Sequence, residues 1–347
     1  MMVAVTEHDQ VQAPGRVGFD RYRMLQAGLW SLRAGPALIL LLLIVIVALT
    51  TPVFLTSRNV GNVFSQTSVI AVIALGQLLV IVTRGIDLSV GSTIALSGVV
   101  GAIVYEDTGS SLLVIGAILG TGLAVGALNG IIFVYGRVPH AFIVTLATLS
   151  IVRGIALWAS DGTLIPGMPP IVETIGGGTV HWIPYSIFVV AALALLCLML
   201  TTRMVWGRWL YAVGGNEEAA RRASIPTRRV LVSVYVLSGL AAGFGGLITA
   251  GLIDGGSPTA GDLAELDSIA AVIIGGAAFA GGRGNVGNAL VGAFTIGVIR
   301  NALNLHNVDP FYQLMAIGFV VLLAVEADVL RRYVEGRVQV AHAVRNE

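Results

Sequence analysis

Long apolar runs separated by short polar or glycine-rich breaks dominate the chain, and many runs approach twenty residues. The clearest is PALILLLLIVIVALTTPVF (36–54), a length suited to a helix crossing a hydrocarbon core of about 30 Å. Reading apolar windows against their breakers predicts about ten spans. They are 36–54, 63–82, 88–105, 111–135, 140–158, 184–202, 230–252, 267–281, 286–304 and 311–330. The segment 267–281, DSIAAVIIGGAAFAG, is short and glycine-rich, and it reads either as a full span or as a tilted or interrupted one. The expected fold is an all-α, polytopic transmembrane helical bundle over 36–330, with a leader (1–35) and a C-terminal tail (331–347).

The basic residues orient the bundle. All 20 are Arg, and the chain has no Lys. With the N-terminus in the cytoplasm, 17 of the 20 fall on the cytoplasmic side: Arg16, Arg21, Arg23, Arg33, Arg84, Arg137, Arg203, Arg208, Arg221, Arg222, Arg228, Arg229, Arg283, Arg331, Arg332, Arg337 and Arg345. Arg58 is external, and Arg153 and Arg300 lie within spans. External loops instead hold acids, among them Asp107, Glu173, Asp254, Asp262, Glu265 and Asp267. This asymmetry fits the positive-inside rule with both termini cytoplasmic. The leader is too long for a signal-peptide n-region, so the first span is expected to be an uncleaved anchor. The external stretch 159–183 mixes Pro, Gly and Trp and is expected to form a small ordered cap.

Composition then narrows the chemistry. Only 11% of residues are charged and 56% are apolar, against about a quarter charged in soluble domains. Without Lys the chain can form neither a P-loop nor a lysine Schiff base. If ATP drives this protein, with its Mg, another chain hydrolyses it. Cys197 sits inside an apolar run, where a lone thiol behaves as a small core residue. The five His residues show no metal-ligand spacing. No catalytic group, metal, bound cofactor or nucleic-acid partner is expected, and no soluble segment is large enough for an enzyme domain.

The longest cytoplasmic loop, 203–229, contains WGRWLYAVGGNEEAARRASIPTRR (206–229). Gly214 and Gly215 interrupt the preceding structure and Asn216 suits an N-cap. Glu217 and Glu218 fall in the first turn, Ala219 and Ala220 favour helix, and Arg221 and Arg222 suit the C-terminal half. Pro226 ends a helix of roughly two to three turns. One reading is a connector held at lipid headgroups by arginines; the other is a docking helix whose small alanines let a cytoplasmic partner approach closely. Glu218, Ala219, Ala220 and Ile225-Pro226 resemble the EAA coupling loop of ATP-binding-cassette importer permeases. Ser224 stands where that pattern usually has Gly.

A second polar stretch, TRGIDLSVGST (83–93), joins two apolar runs. Alone it reads as a turn in which Gly85 and Gly91 relax the backbone and Arg84 and Asp87 pair or anchor at headgroups. Its run of hydroxyls, including Ser89, is more than a turn needs, since polar groups at membrane depth are buried in protein or line a water-filled route. With its flanks, NVGNVFSQTSVIAVIALGQLLVIVTRGIDLSVGS (59–92) resembles the permease subunit of ribose-, xylose- and galactose-type sugar importers. GALNGIIFVYGRVPHAFIVTLATLSIVRGIAL (126–157), YAVGGNEEAARRASI (211–225) and SPTAGDLAELDSIAAVIIGGAAFAGGRG (257–284) continue the resemblance over roughly 36–331. His140 departs from it, because the family commonly continues Pro into an apolar residue. The resemblance implies a paired permease, a homodimer or two related chains. It also implies a cytoplasmic ATPase at the docking helix and a periplasmic or lipid-anchored sugar-binding protein outside.

Candidate groups along a sugar path are Gln77, Asn129, Arg153, Arg300, Asn301 and Asn304, with Gln66, Ser97 and Thr145 beside them. Arg153 and Arg300 are equally explained by snorkelling, and the amides by helix–helix hydrogen bonding. Gly239, Gly243, Gly245 and Gly246 read as either a mobile joint or tight packing. Two internal echoes appear, Ser68 to Gly76 against Ser268 to Gly276 and the Gly126–Pro139 spacing against Gly297–Pro310, and they read either as traces of an inverted repeat or as chance matches of small apolar residues. The alternative functions are a stand-alone facilitator or secondary transporter, and an intramembrane enzyme. Proton coupling would need ionisable groups deep in the bundle, and an enzyme would need a nucleophile–base or metal constellation.

Overall fold

The computed structural model describes residues 19–345. The first part of the expected leader, with Arg16, and the end of the tail lie outside the described residues. Thirteen helices follow one another: α1 Phe19–Thr50, α2 Ser57–Val82, α3 Val90–Thr108, α4 Ser111–Tyr135, α5 Ala141–Ala159, α6 Pro170–Gly177, α7 Tyr185–Thr202, α8 Val205–Gly215, α9 Glu217–Arg222, α10 Thr227–Ile253, α11 Ala264–Ile274, α12 Val286–Leu305 and α13 Pro310–Arg345. By length and composition α2, α4, α5, α7, α10 and α12 are apolar enough to cross a membrane, and Gly35–Thr50 and Pro310–Glu326 are shorter apolar stretches.

The expected cap at 159–183 is ordered. It contains α6 and four two-residue strands lie in or beside it. β1 (Ile165–Pro166) pairs with β4 (Gly255–Gly256), and β2 (Thr179–Val180) with β3 (Ile183–Pro184). The glycine-rich 267–281 segment departs most from a full span. Only α11 is helical there, and the chain turns at Gly275 and Gly276, the latter at φ +81°, where a side chain would be strained.

Helices α2 and α10 run antiparallel through the centre, burying Ile73, Leu78, Tyr235 and Ile248. The outer helices present apolar side chains outward, such as Leu128 and Ile131 on α4 and Leu195 and Met199 on α7. That exterior suits hydrocarbon, where a helix bonds its own backbone groups. The tightest crossing is α4 on α10. A methyl at Gly126 would stand 3.0 Å from the Gly239 Cα, and one at Gly239 2.7 Å from the Gly126 Cα. These backbones touch because neither position carries a side chain. Gly239 and Gly243 are therefore packing positions in this conformation.

Two segments break off short of the bundle ends. After α2 the chain turns back into the bundle through 83–89 before α3 begins. After α10 it turns back from the opposite end through 254–263 before α11 begins. The N-terminal turns of α3 and α11 meet inside the bundle, where Gly91 lies against the Gly261 carbonyl and the Glu265 side chain. The two halves correspond: α3 packs on α10 and α4, while α11 packs on α2 and α12 in the opposite direction. Helices α2–α5 and α10–α13 thus form an inverted repeat.

Candidate functional site

The arginine-rich end of α2 carries the first element of the site. The Arg84 amide bonds to the Ile81 carbonyl (2.9 Å) and the Gly85 amide to the Val80 carbonyl (3.0 Å), a Schellman-type stop. The left-handed residue is Arg84 (φ +66°) rather than glycine, at a cost of roughly 1 kcal/mol. Its guanidinium is well placed to offset that. Nε donates to the Gly214 carbonyl at 2.7 Å and Nη2 to the Gly215 carbonyl, at the C-terminal end of α8 where cations are favoured. Gly282 closes the same junction by donating to the Val82 carbonyl (2.8 Å).

Arg84 and Asp87 therefore do not pair. The turn sends the guanidinium toward the end of α8 and the carboxylate into the bundle. Asp87 is 1% exposed. Its Oδ1 accepts from the Ser89 amide (3.0 Å) and hydroxyl (2.7 Å), and Oδ2 accepts from Ser238 on α10 (2.8 Å). Asn129 on α4 donates to the Ser89 hydroxyl at 2.8 Å. Thr145 on α5 donates to the Ile86 carbonyl at 3.1 Å. Gln77, with its amide turned to satisfy both groups, brackets the Asp87 backbone at 3.2 and 3.3 Å. Among the described residues no cation pairs with this carboxylate. It lies just before the N-terminus of α3, where the helix dipole favours negative charge. One turn thus ties α2, α3, α4, α5 and α10 together through buried polar atoms.

Helix α9 forms with the expected punctuation, but its six residues fall short of the expected two to three turns. Asn216 Oδ1 accepts from the Ala219 amide (3.0 Å). Glu217–Arg221 (3.1 Å) and Glu218–Arg222 (3.2 Å) are i,i+4 pairs on its exposed side. Ser224, at φ +61°, ends the helix in place of the glycine of the resembling pattern, and the Ile225 amide bonds to the Ala220 carbonyl (3.1 Å). Ala220 differs from expectation: it is 4% exposed and packs against Val213, Val230 and Leu231. Its small size seats α9 on the bundle, and the face left open carries Glu217, Glu218 and Ala219.

The remaining candidates divide. Arg153 donates to the Pro258 (2.6 Å) and Ala260 (3.0 Å) carbonyls, and Arg300 bonds Asp267 at 2.6 Å. Both arginines hold the second inward-turning segment. Asn301 pairs with Asn59 of α2 (2.9 Å). Asn304 is exposed and bonds Gln313 (2.8 Å). The sequence reading missed Asp267 and Glu265, which it left in an external loop although both are buried, and Ser238. The available signal was an Asp at the head of an apolar run, with an Arg inside a neighbouring span.

A bundle of broken helices around a buried polar turn, with a surface helix clasped to that turn, is the architecture of a membrane permease. The chain belongs to the family described as branched-chain amino acid transport system / permease component, whose profile matches residues 59–325, and it is a multi-pass protein of the bacterial cytoplasmic membrane. It is similar to the ribose import permease protein RbsC of Escherichia coli (strain K12), at 39% identity over 86% of this chain and 94% of that one. RbsC of Bacillus subtilis (strain 168) is 38% identical over 85% and 92%. The D-allose transport system permease protein AlsC of Escherichia coli (strain K12) is 36% identical over 82% and 87%. No solved structure is significantly similar to the chain.

Proposed function

We propose that this chain is the transmembrane permease subunit of an ATP-binding-cassette importer that moves a monosaccharide or related polyol into the cytoplasm. A separate cytoplasmic ATPase docks on the open face of α9 and supplies the ATP and Mg chemistry; this chain contributes no nucleotide site. A periplasmic or lipid-anchored binding protein delivers the sugar at the acid-rich end. A second permease copy, in a homodimer, completes the path within the lipid bilayer. About ten membrane segments, two of them broken, carry both termini to the cytoplasm. The ribose and D-allose permeases named above, together with an L-arabinose ABC transporter permease 35% identical to this chain, support the sugar class.

The observation that carries the coupling is the Arg84 clasp. The docking loop is bonded through Gly214 and Gly215 to the residue that begins the Asp87 turn. Movement of α9 under a nucleotide-driven partner would pull on Arg84. Three residues further on, the buried network would pass that displacement to α3, α4, α5 and α10. Alternating access needs such a joint between a surface lever and the bundle interior.

Mild-detergent purification of the tagged chain from its native membrane, with mass spectrometry of co-purifying proteins, tests the reading. Recovery of a P-loop ATPase is the expected result. A chain that purifies alone and passes sugar in liposomes without ATP would be a facilitator.

A further inference from the structure

The arginine-rich end of the bundle holds a cleft of about 620 Å³ between the end of α4 and the start of α10, with α9 as its third wall. Arg137, Arg221, Arg228 and Arg229 line it, and Glu217 is the acid among its lining residues. Glu217 is already paired with Arg221. Among the described residues, Arg137, Arg228 and Arg229 make no ion pair or side-chain hydrogen bond. Two of these free cations occupy the first turn of the 27-residue helix α10, which has no acidic residue there and no side-chain cap. Cations at a helix N-terminus oppose the dipole, and three guanidinium groups around one cleft repel one another. The exposed arginines and the helix end together give the cleft a positive field that attracts an anion.

The opposite wall identifies the anion's carrier. Phe133, Tyr135 and Val138 form it, and Tyr135 is 58% exposed at the last turn of a membrane-length helix, where aromatic rings mark the headgroup level. The outward surface of α4 continues from this wall as Leu128, Ile131 and Ile132, all exposed. An apolar track therefore leads from the hydrocarbon surface directly into the cationic cleft. We propose that the cleft binds the phosphate headgroup of an anionic membrane phospholipid, whose acyl chain lies along α4. A basic pocket between helices at the cytoplasmic surface has the chemistry for this. The inference does not depend on the transport reading.

Native mass spectrometry of the purified full chain, titrated with phosphatidylglycerol or phosphatidylcholine, tests it. Arg137→Gln and Arg228→Gln should each weaken phosphatidylglycerol retention roughly five-fold, with phosphatidylcholine unaffected. Arg203→Gln, an exposed arginine at the same end outside the cleft, should leave retention unchanged. Equal losses in Arg203→Gln and Arg137→Gln would reduce the effect to diffuse surface charge and overturn the proposal. Displacement of the lipid by millimolar inorganic phosphate would instead assign the cleft to a free anion. Unchanged lipid retention with loss of a co-purifying ATPase would assign it to the protein partner.

Discussion

Asp87 separates geometry from charge as the function of the buried turn. Three donors converge on its carboxylate, and Oδ1 alone receives two of them. In Asp87→Asn the amide oxygen keeps both Ser89 donors, and the new NH₂ meets the Ser238 hydroxyl, which turns to accept. Each bond falls from the charged to the neutral class, a loss of about 1 kcal/mol apiece. That loss is offset because an ion no longer has to be buried, a saving of similar size, so the net change should stay within about 1 kcal/mol. Asp87→Ala removes the buried ion as well, but it leaves no acceptor in its place. It strands the Ser89 amide at a cost of about 1–3 kcal/mol, and it frees two buried hydroxyls; roughly 3 kcal/mol in total is expected. Thermal unfolding in detergent reads the stability. Uptake of radiolabelled ribose, D-allose and L-arabinose by native membrane vesicles reads the function. Asp87→Asn should keep most of both, and Asp87→Ala should lose uptake at least ten-fold. An Asp87→Asn protein as stable as wild type but as inactive as Asp87→Ala would refute the reasoning, because the negative charge itself would then be required.

Three further perturbations probe other joints. Gly126→Ala should cost about 1–3 kcal/mol through overpacking on α10, measured as a lower unfolding temperature, whereas Gly116→Ala on the same helix meets nothing within 4 Å and should be silent. Arg300→Gln leaves Asp267 buried without its partner and should destabilise by about 3 kcal/mol, the low end for a buried pair because Arg300 keeps 34% of its side-chain surface exposed; the double variant with Asp267→Asn should recover most of that loss. Ala220→Leu should lower both unfolding temperature and ATPase co-purification by unseating α9, while Ala219→Arg on the open face should lower co-purification alone, and a loss of stability in the second variant would count against the assigned faces.

Much of this was legible in the chain. Apolar run length located the six helices that are long and apolar enough to cross a membrane, with 111–135 matching α4 at both ends, because a membrane-length helix must be apolar almost throughout. Helix α9 was legible because capping is local: Asn216, two acids and two arginines specify it without tertiary help. Which face of α9 opens was not legible, since the burial of Ala220 depends on Val213, Val230 and Leu231 from two other helices. The same limit hid the divergence of Arg84 and Asp87. Three residues of separation allowed a pair, and only the left-handed conformation at Arg84 sends them to opposite destinations.

The two internal echoes show how a repeat is hidden and how it can be found. The Ser68–Gly76 and Ser268–Gly276 match joins α2 to α11, which run in the same direction as packed neighbours and are not related by the inverted repeat. The Gly126–Pro139 and Gly297–Pro310 match joins α4 to α12, which run oppositely. The shift that carries Gly126 to Gly297 also carries Ser57 to Arg228 and Val82 to Ile253, close to both ends of α10. It carries Thr67 to Ser238. In the structure Gly126 packs on α10 beside Gly239, and Gly297 packs on α2 against Thr67, so equivalent glycines admit equivalent central helices. What survives in sequence is thus the close-approach glycine and a proline at or just before the start of the following helix, because both are demanded by backbone geometry that the repeat shares. The polar residues have diverged, since one broken segment is fastened to the end of α8 through Arg84 and the other is held by Arg153 and Arg300. That asymmetry leaves a symmetric scaffold with one broken segment bonded to the loop ahead of α9 and the other bonded only within the bundle.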